Sequence, residues 1–583
     1  MKRFLIYRAE DGRLRPHAEV VYRALCGHAA GVLIDATDEA LRQAWAEAMC
    51  AEWDELLLVT DALMGPLHPE SLQTMFDSMD AKAVDGWSLA PVCGPGKDGG
   101  ALAIPSFLAV RRKWLERSSL RELMAQGGSE LMLRLLGVWQ TETQAVGSVA
   151  PSDAFADGPA DPLVLQPYTA VVNGGCPFID LRCLTIPHAL TLRCTMGEEP
   201  GRLLRWMKET GVCDVKLVWD WLLAGRFDLN VVANLGLMAC LPTTPPAEVA
   251  RYPRGKCCLL MHLYFTELGE EALHYARSMP PEADICITTT SAEKKAYYET
   301  LFACLPNRVE VRQTVNRGRD MGSLLVSLRD VTRRYELCCF YHDKKSSFCA
   351  TSSVGRSFAY LISESALASP GYVQRILRLF DEEPRLGVLC AMAPHHADYY
   401  AVNARFWDHN LEPARELLSR LGLSMSAEAD RALPAAWGNV FWFRVKALAP
   451  LLNYPWRYED FPEEPYPVDG SVAHAMERIH CLVAESQGYY TSLAAPDHLA
   501  AQMMMNFHQY LCDYVKEMDG AQLLGMHHET IRQLSRAVNC HEIRARRGFL
   551  LWLRRLMGDE TFQRCRRIVH RERKHKERIG ANQ

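Results

Sequence analysis

The sequence predicts an α/β protein with two open-sheet regions, a helical segment between them, and a helical, basic C-terminal tail. Three observations carry this expectation. Short continuous apolar runs, as in strands buried on both faces, alternate with helix-length stretches in residues 1–160 and again in 255–500. Residues 161–254 look mostly helical. From residue 501 the pattern is helical again, and from Arg544 it is dense in arginine and lysine. Alternating strand and helix favours a doubly wound sheet, because parallel strands need a crossover that a helix supplies.

In chain order, residues 4–7, 31–34 and 56–59 read as strands, and 39–53 as a helix with Asp38 at its N-cap. Thr60-Asp61 closes the third strand. Residues 148–162, rich in Ala, Asp, Pro and Gly, read as a linker. In the helical segment Trp219, Trp221 and Leu222 are core candidates, and Thr243-Thr244-Pro245-Pro246 is the next break. The second α/β region opens near Lys256. Residues 258–263, 283–289, 309–315 and 337–342 are its strands, 266–278 is a helix, and Ser291 caps another that carries Lys294 and Lys295.

The chain has 583 residues, which suggests roughly three to four domains. A 49% hydrophobic content is ample for packed cores, and a net charge of −5 argues against a nucleic-acid binder. Met1-Lys2-Arg3 precedes an apolar stretch soon broken by Arg8 and Glu10, so no secretory leader is expected. No apolar run reaches the ~18 residues of a membrane span. None of the twenty cysteines stands at CxxC spacing, and buried, reduced thiols in a cytoplasmic protein are expected. Gly94-Pro95-Gly96-Lys97-Asp98-Gly99 fits GxGxxG, but a strand-like Leu102-Ala103-Ile104-Pro105 follows where a dinucleotide motif needs a helix. His395-His396 with Asp398 has no third metal ligand at regular spacing and reads as a loop.

The densest chemistry lies in Asn316-Arg317-Gly318-Arg319-Asp320-Met321-Gly322, placed between a strand and an apolar helix. Ligands bind at the carboxyl ends of strands in open sheets. Glycines such as Gly318 and Gly322 let backbone approach them closely. Arg317 and Arg319 offer forked donors to phosphate, and Asp320 offers an acceptor to a ribose or sugar. A plain surface turn, with Asp320 capping the next helix, is the competing reading. Three further segments join this loop: Tyr341-His342-Asp343-Lys344-Lys345-Ser346, Trp437-Gly438-Asn439-Val440-Phe441-Trp442-Phe443-Arg444, and Phe461-Pro462-Glu463-Glu464-Pro465 leading to Asp469-Gly470 and His474-Ala475-Met476-Glu477-Arg478.

With His262-Leu263-Tyr264-Phe265, Ile287-Thr288-Thr289 and a closing Gly488-Tyr489-Tyr490, this ordered set resembles the rhamnan synthesis protein F family of bacterial polysaccharide glycosyltransferases. The resemblance spans about 255–495 and is weaker upstream, at 56–67 and at 214–220. It implies two glycosyltransferase domains of the GT-A, Rossmann-like type. One covers 1–160 and is degenerate, because the stretch 34–41 has no glycine where the family carries an Asn/Gly-rich loop. The other covers 255–500, with 161–254 as the helical connection and 501–583 as the tail. It also implies a nucleotide-sugar donor, with dTDP-rhamnose as the candidate, and a glycan or lipid-linked glycan acceptor.

Sugar transfer with inversion would leave an anionic diphosphate to neutralise. One carboxylate with two lysines, His342-Asp343-Lys344-Lys345, is a poor divalent site, so Arg317, Arg319, Lys344 and Lys345 are the expected diphosphate clamps. Mg²⁺ or Mn²⁺ held by Asp343 and donor oxygens is the alternative. Asn316, Gly318, Asp320, Gly322 and His342 complete the donor side. Asp469 is the candidate base, standing after Val468 where the family has an acidic residue. Its competing role is to cap the following helix. Gly438, Asn439, Glu463, Glu464 and His474 are assigned to the acceptor side. A non-catalytic scaffold for polysaccharide assembly is the rival function. In the tail, Phe549-Leu550-Leu551-Trp552-Leu553 between arginine pairs could meet an anionic membrane surface, a partner, or only water.

Overall fold

The computed structural model describes residues 1–91, 105–116, 146–151, 161–192, 194–246, 256–345, 351–403, 405–463 and 469–520. The described residues form a mixed α/β structure built on two large sheets. The first contains β1 (Arg3–Ala9), β2 (Ala30–Asp35), β3 (Glu55–Thr60), β5 (Gly86–Ser88), β6 (Phe107–Arg111) and β7 (Val146–Ser148), in the order β2-β1-β3-β6-β5-β7. β1, β2 and β3 are parallel, and β6 runs antiparallel to both β3 and β5. Helix Asp38–Cys50 packs Leu41, Ala44, Trp45 and Ala48 onto the core with Phe4, Ile6, Leu56 and Leu58. Its N-cap is Thr37, whose hydroxyl accepts the Ala40 N–H; Asp38 is the first helical residue. The GxGxxG loop at 94–99 and most of the expected linker, 152–160, lie outside the described residues.

The connecting segment is helical over Glu199–Thr210, Val215–Leu222 and Leu229–Leu235, and Trp219, Trp221 and Leu222 are buried as expected. It also holds two strands that a helical reading missed. β8 (Ile179–Asp180) pairs with β4 (Leu63–Met64), beside the first sheet, and β9 (Met238–Leu241) is an edge strand of the second. The segment is tied to the second region by the Trp219 ring, stacked on Tyr490 at 4.2 Å. It is tied again by Glu485, a carboxylate fully withdrawn from water. Glu485 accepts the Gly225 N–H at 3.0 Å and pairs with Arg431 at 2.7 Å. Residues Met1–Gln502 form one compact unit and Met503–Gln583 another. The described part of the latter belongs to the helix Asp497–Gly520. The arginine-rich stretch from 544 lies outside the described residues.

The second sheet consists of β9, β10 (Cys257–His262), β11 (Asp284–Thr289), β12 (Val309–Gln313), β13 (Leu337–His342), β14 (Leu386–Cys390), β15 (Phe441–Arg444) and β16 (Tyr490–Pro496). Their order is β12-β11-β10-β13-β15-β14-β16-β9. β10 to β13 are parallel, whereas β15 runs antiparallel to both neighbours. After β10 the chain builds outward through β11 and β12, then returns to the other side of β10 with β13. The strand order therefore reverses between β10 and β13, where open sheets leave a crevice at the carboxyl ends. His262 and His342 are register partners at that place.

The thiols at Cys257, Cys258, Cys286, Cys338, Cys339 and Cys390 are buried in these strands, but Cys26, Cys50, Cys194, Cys240 and Cys304 are exposed. Among the described residues no helix is long and apolar enough to cross a membrane.

Candidate functional site in the second sheet

The Asn316 loop leaves β12 and enters a short helix, Arg319–Gly322, with Gly318 as its N-cap residue. Gly318 has φ +81°, and a Cβ there would lie 2.8 Å from the Gly322 Cα and 2.9 Å from the Phe461 Cγ. The loop thus needs glycine both for its backbone angle and for the close approach of Phe461. Gly318→Ala is expected to destabilise the protein by about 1–3 kcal/mol from backbone strain alone, read as a lower denaturation midpoint. Tyr458 straps the same loop. Its hydroxyl lies 2.6 Å from Thr314 Oγ1 and 2.5 Å from Ser327 Oγ.

This packing aims Asp320 into the crevice rather than into a helix cap. Its carboxylate accepts the Asn439 Nδ2–H at 2.7 Å and lies 3.9 Å from His342 Nε2. His342 is gripped at both ring nitrogens, with Nδ1 3.0 Å from the Asp343 carbonyl and Nε2 2.6 Å from the Gly438 carbonyl. Burial alone would raise the Asp320 carboxyl, but His342, the Asn439 amide, His262 and Lys344 outweigh it and hold the group below the ordinary carboxylate range. Arg319 and Asn439 both have positive φ, +47° and +53°. Such conformations cost free energy in non-glycine residues and persist where surrounding structure enforces them. His262, part of a family-like segment but given no site role from the sequence, is buried with Nδ1 2.9 Å from Thr288 Oγ1, and burial pushes it down to about 4. Its histidine and strand end were visible in the sequence, but not that β10 and β13 are neighbours.

The expected cations are distributed unevenly. Lys344 is half-buried, its Nζ 4.5 Å from the centre of the Phe358 ring, and it acts on Asp320. Arg317 is turned to the strap, donating to the Phe461 carbonyl at 2.9 Å and to Glu463 at 3.3 Å. Lys345 pairs with Glu267. Asn316 and Arg319 are exposed on the loop. Asp343 clips two backbone amides: its Oδ2 accepts the N–H groups of Tyr264, at 2.8 Å, and Phe265, at 2.5 Å. Burial pushes its carboxyl up to about 6 against those bonds. Among the described residues no three His, Cys, Asp or Glu side chains converge as metal ligands. His395 is buried and His396 faces the Val354 carbonyl at 3.2 Å, in keeping with a loop.

On the other side stands Asp469. Ser471, not Asp469, caps the helix Val472–Ser486. The Asp469 carboxylate accepts the Asn410 Nδ2–H at 2.7 Å and lies 3.9 Å from Arg478 and 4.0 Å from His474 Nδ1. Burial acts to raise it, but Asn410, Arg478, the Gly470 N–H and His474 lower it below the usual range. Asn410 was missed because it stands far from Asp469 in the sequence and has no motif around it. Glu463 is exposed on the strap, and Glu464 lies outside the described residues.

The profile of rhamnan synthesis protein F matches residues 151–489, more than half of the chain. The chain belongs to the rhamnan synthesis protein F family. The segment shared with the rhamnan synthesis protein F profile contains every site residue named above, while β1 to β7 precede it. The uncharacterized protein WxcX of Xanthomonas campestris pv. campestris, in strain B100 and in strain ATCC 33913, is 26% identical over 280 residues. That alignment covers 47% of this chain and 36% of WxcX, so the chain spans about a third of the length of these curated relatives. Among solved structures, the glycosyltransferase GlyE of Streptococcus pneumoniae TIGR4 aligns at 12% identity and a TM-score of 0.22, over 59% of this chain and 87% of GlyE. Its apo form aligns at the same identity and TM-score, over 62% and 90%.

Proposed function

We propose that this chain is a glycosyltransferase that moves a sugar from a nucleotide-sugar donor onto a growing cell-surface polysaccharide. The observation that carries the reading is the family match, which takes in the whole crevice between β10 and β13 with Asp320 at its centre. The second sheet is read as a GT-A-like catalytic domain and the first as a degenerate copy. Asp320 and Lys344 face the donor, with Arg319 and Asn316 at the loop rim, and Arg317 and Lys345 reach the diphosphate only by leaving their present partners. The Asp469 side of the crevice receives the acceptor, either a glycan or a lipid-linked glycan. Transfer with inversion, dTDP-rhamnose as donor, and docking of the basic tail on an anionic membrane belong to the same proposal.

A panel of dTDP-, UDP-, GDP- and CMP-sugars tests it by thermal shift, followed by transfer of labelled sugar to the polysaccharide. One nucleotide class is expected to raise the melting temperature, and its sugar to be transferred. No stabilisation by any member would remove the reading.

One observation favours the rival scaffold. Arg317, Lys345 and Asp343 are engaged by Phe461 and Glu463, by Glu267, and by the Tyr264 and Phe265 amides. A scaffold would hold those contacts in the presence of every nucleotide sugar.

A further inference from the structure

His474 stands in the first turn of the helix Val472–Ser486, one residue's reach from the Asp469 loop. Its Nδ1 lies 2.9 Å from Ser471 Oγ. That same oxygen caps the helix by accepting the His474 backbone N–H, at 3.4 Å. Asp469 Oδ1 lies 4.0 Å from Nδ1 on the same edge of the ring. Among the described residues no hydrogen bond engages Nε2, and the side chain keeps 27% of its surface open. One edge of the imidazole is therefore fixed and backed by a carboxylate, and the other edge is left for a ligand.

Asp469 is differently placed. Its Oδ1 already accepts the Asn410 amide, and Arg478 lies 3.9 Å away. Asn410 is wholly buried and Arg478 nearly so. A carboxylate so held is a poor proton acceptor but a lasting negative charge.

We propose that His474, through Nε2, is the general base that activates the acceptor hydroxyl, and that Asp469 is the positioning residue that supports the imidazolium. This rests on the glycosyltransferase reading and changes which residue of the pair takes the proton. The acceptor O–H proton moves to Nε2 as the acceptor oxygen bonds the sugar C1. The bond from C1 to the donor phosphate oxygen breaks, and the nucleoside diphosphate leaves with that electron pair. Nδ1–H donates to Ser471 throughout, and the Nε2 proton later returns to water. Among the described residues the charges acting on the ring are Glu477 and Arg478 on its own helix, Asp469 in the preceding loop, and Asp320. Burial, the largest influence, keeps His474 below its ordinary value near 6.5, which favours the neutral ring.

Two measurements on the full chain test this. ¹⁵N NMR of the ring at pH 7 is expected to show a neutral imidazole with the proton on Nδ1. Asp469→Asn should lower the pH at which that ring titrates, because the supporting charge is lost. A proton on Nε2, or a titration unmoved by Asp469→Asn, overturns the proposal whether or not transfer has been detected. Kinetically, His474→Asn is expected to lower turnover by ~10²–10⁴-fold and to abolish the acid limb of the kcat/KM profile. Its thermal shift with the nucleoside diphosphate of the active donor should match the parent. If His474→Asn turns over normally while Asp469→Asn does not, Asp469 is the base. If the parent chain transfers no sugar from any donor, the glycosyltransferase reading fails, and the NMR result still decides the ring's state.

Discussion

Replacing Asp320 with asparagine is expected to lower the kcat/KM of sugar transfer by about 10²-fold or more, the scale lost with one preorganised electrostatic group. The two side chains are nearly the same size, so the loop packing of Gly318 against Phe461 should survive. What is lost is the charge. His342, the Asn439 amide, His262 and Lys344 jointly hold the Asp320 carboxyl below its ordinary range. Asn439→Ala should show part of the same loss, because it removes the 2.7 Å bond that aims the carboxylate. The sign with pH follows from the depressed carboxyl. Asp320 contributes stability that is fully present above its unfolded value of about 3.9 and is lost as pH falls through its lower folded value. Asp320→Asn should therefore lose the part of the parent's acid-unfolding transition that this group supplies. A variant as active as the parent would show that Asp320 shapes the loop and does not serve the reaction.

Glu485→Ala is expected to cost about 3–5 kcal/mol of stability at a pH above the value of about 7 to which burial pushes the Glu485 carboxyl, measured by denaturant unfolding followed through tryptophan fluorescence. The reason is the Arg431 guanidinium, 9% exposed, which would keep its charge and lose its counter-ion at 2.7 Å. The Gly225 N–H would lose its acceptor as well. Trp219, stacked on Tyr490 close by, reports on this junction. A second variant separates charge from packing. Combining Glu485→Ala with Arg431→Met removes both charges, and most of the loss should be recovered. If the double variant is as unstable as the single one, the junction depends on shape and not on the ion pair.

Much of the second sheet was legible because its strands announce themselves. Three of them, β10, β11 and β13, are largely apolar and buried, and buried parallel strands must read that way, whereas the edge strand β12 alternates valine with Glu310 and Arg312. The loop at 316–322 could be placed between a strand and a helix from its sequence, but a surface turn and a ligand loop read alike there, and only the fold set Asp320 against Asn439 and His342. β8 and β9 were not legible. Each has at most four residues, too short for a two-residue alternation to stand out, and each is a strand only because β4 or β16 offers it hydrogen bonds. Nor could residue order reveal that β15 turns back between β13 and β14, since direction within a sheet follows from how the long 391–440 connection packs.

The same division runs through the site. Residue identity settled which groups can carry charge, donate or accept: Asp320, His342, Lys344, Asp469 and His474 could be named from the chain, together with the family motifs that contain them. Their partners were set by folding. Asp343 became a clip for two backbone amides, Arg317 a brace for the strap, and Asn410 a support for Asp469 across 59 residues. A side chain's chemistry is local, but its protonation state and availability depend on burial and on neighbours brought from distant parts of the chain. Sequence therefore supplied the candidate groups and most of the sheet that carries them. Only the tertiary structure, by reversing strand order between β10 and β13, decided which of those groups face the crevice and which are already taken.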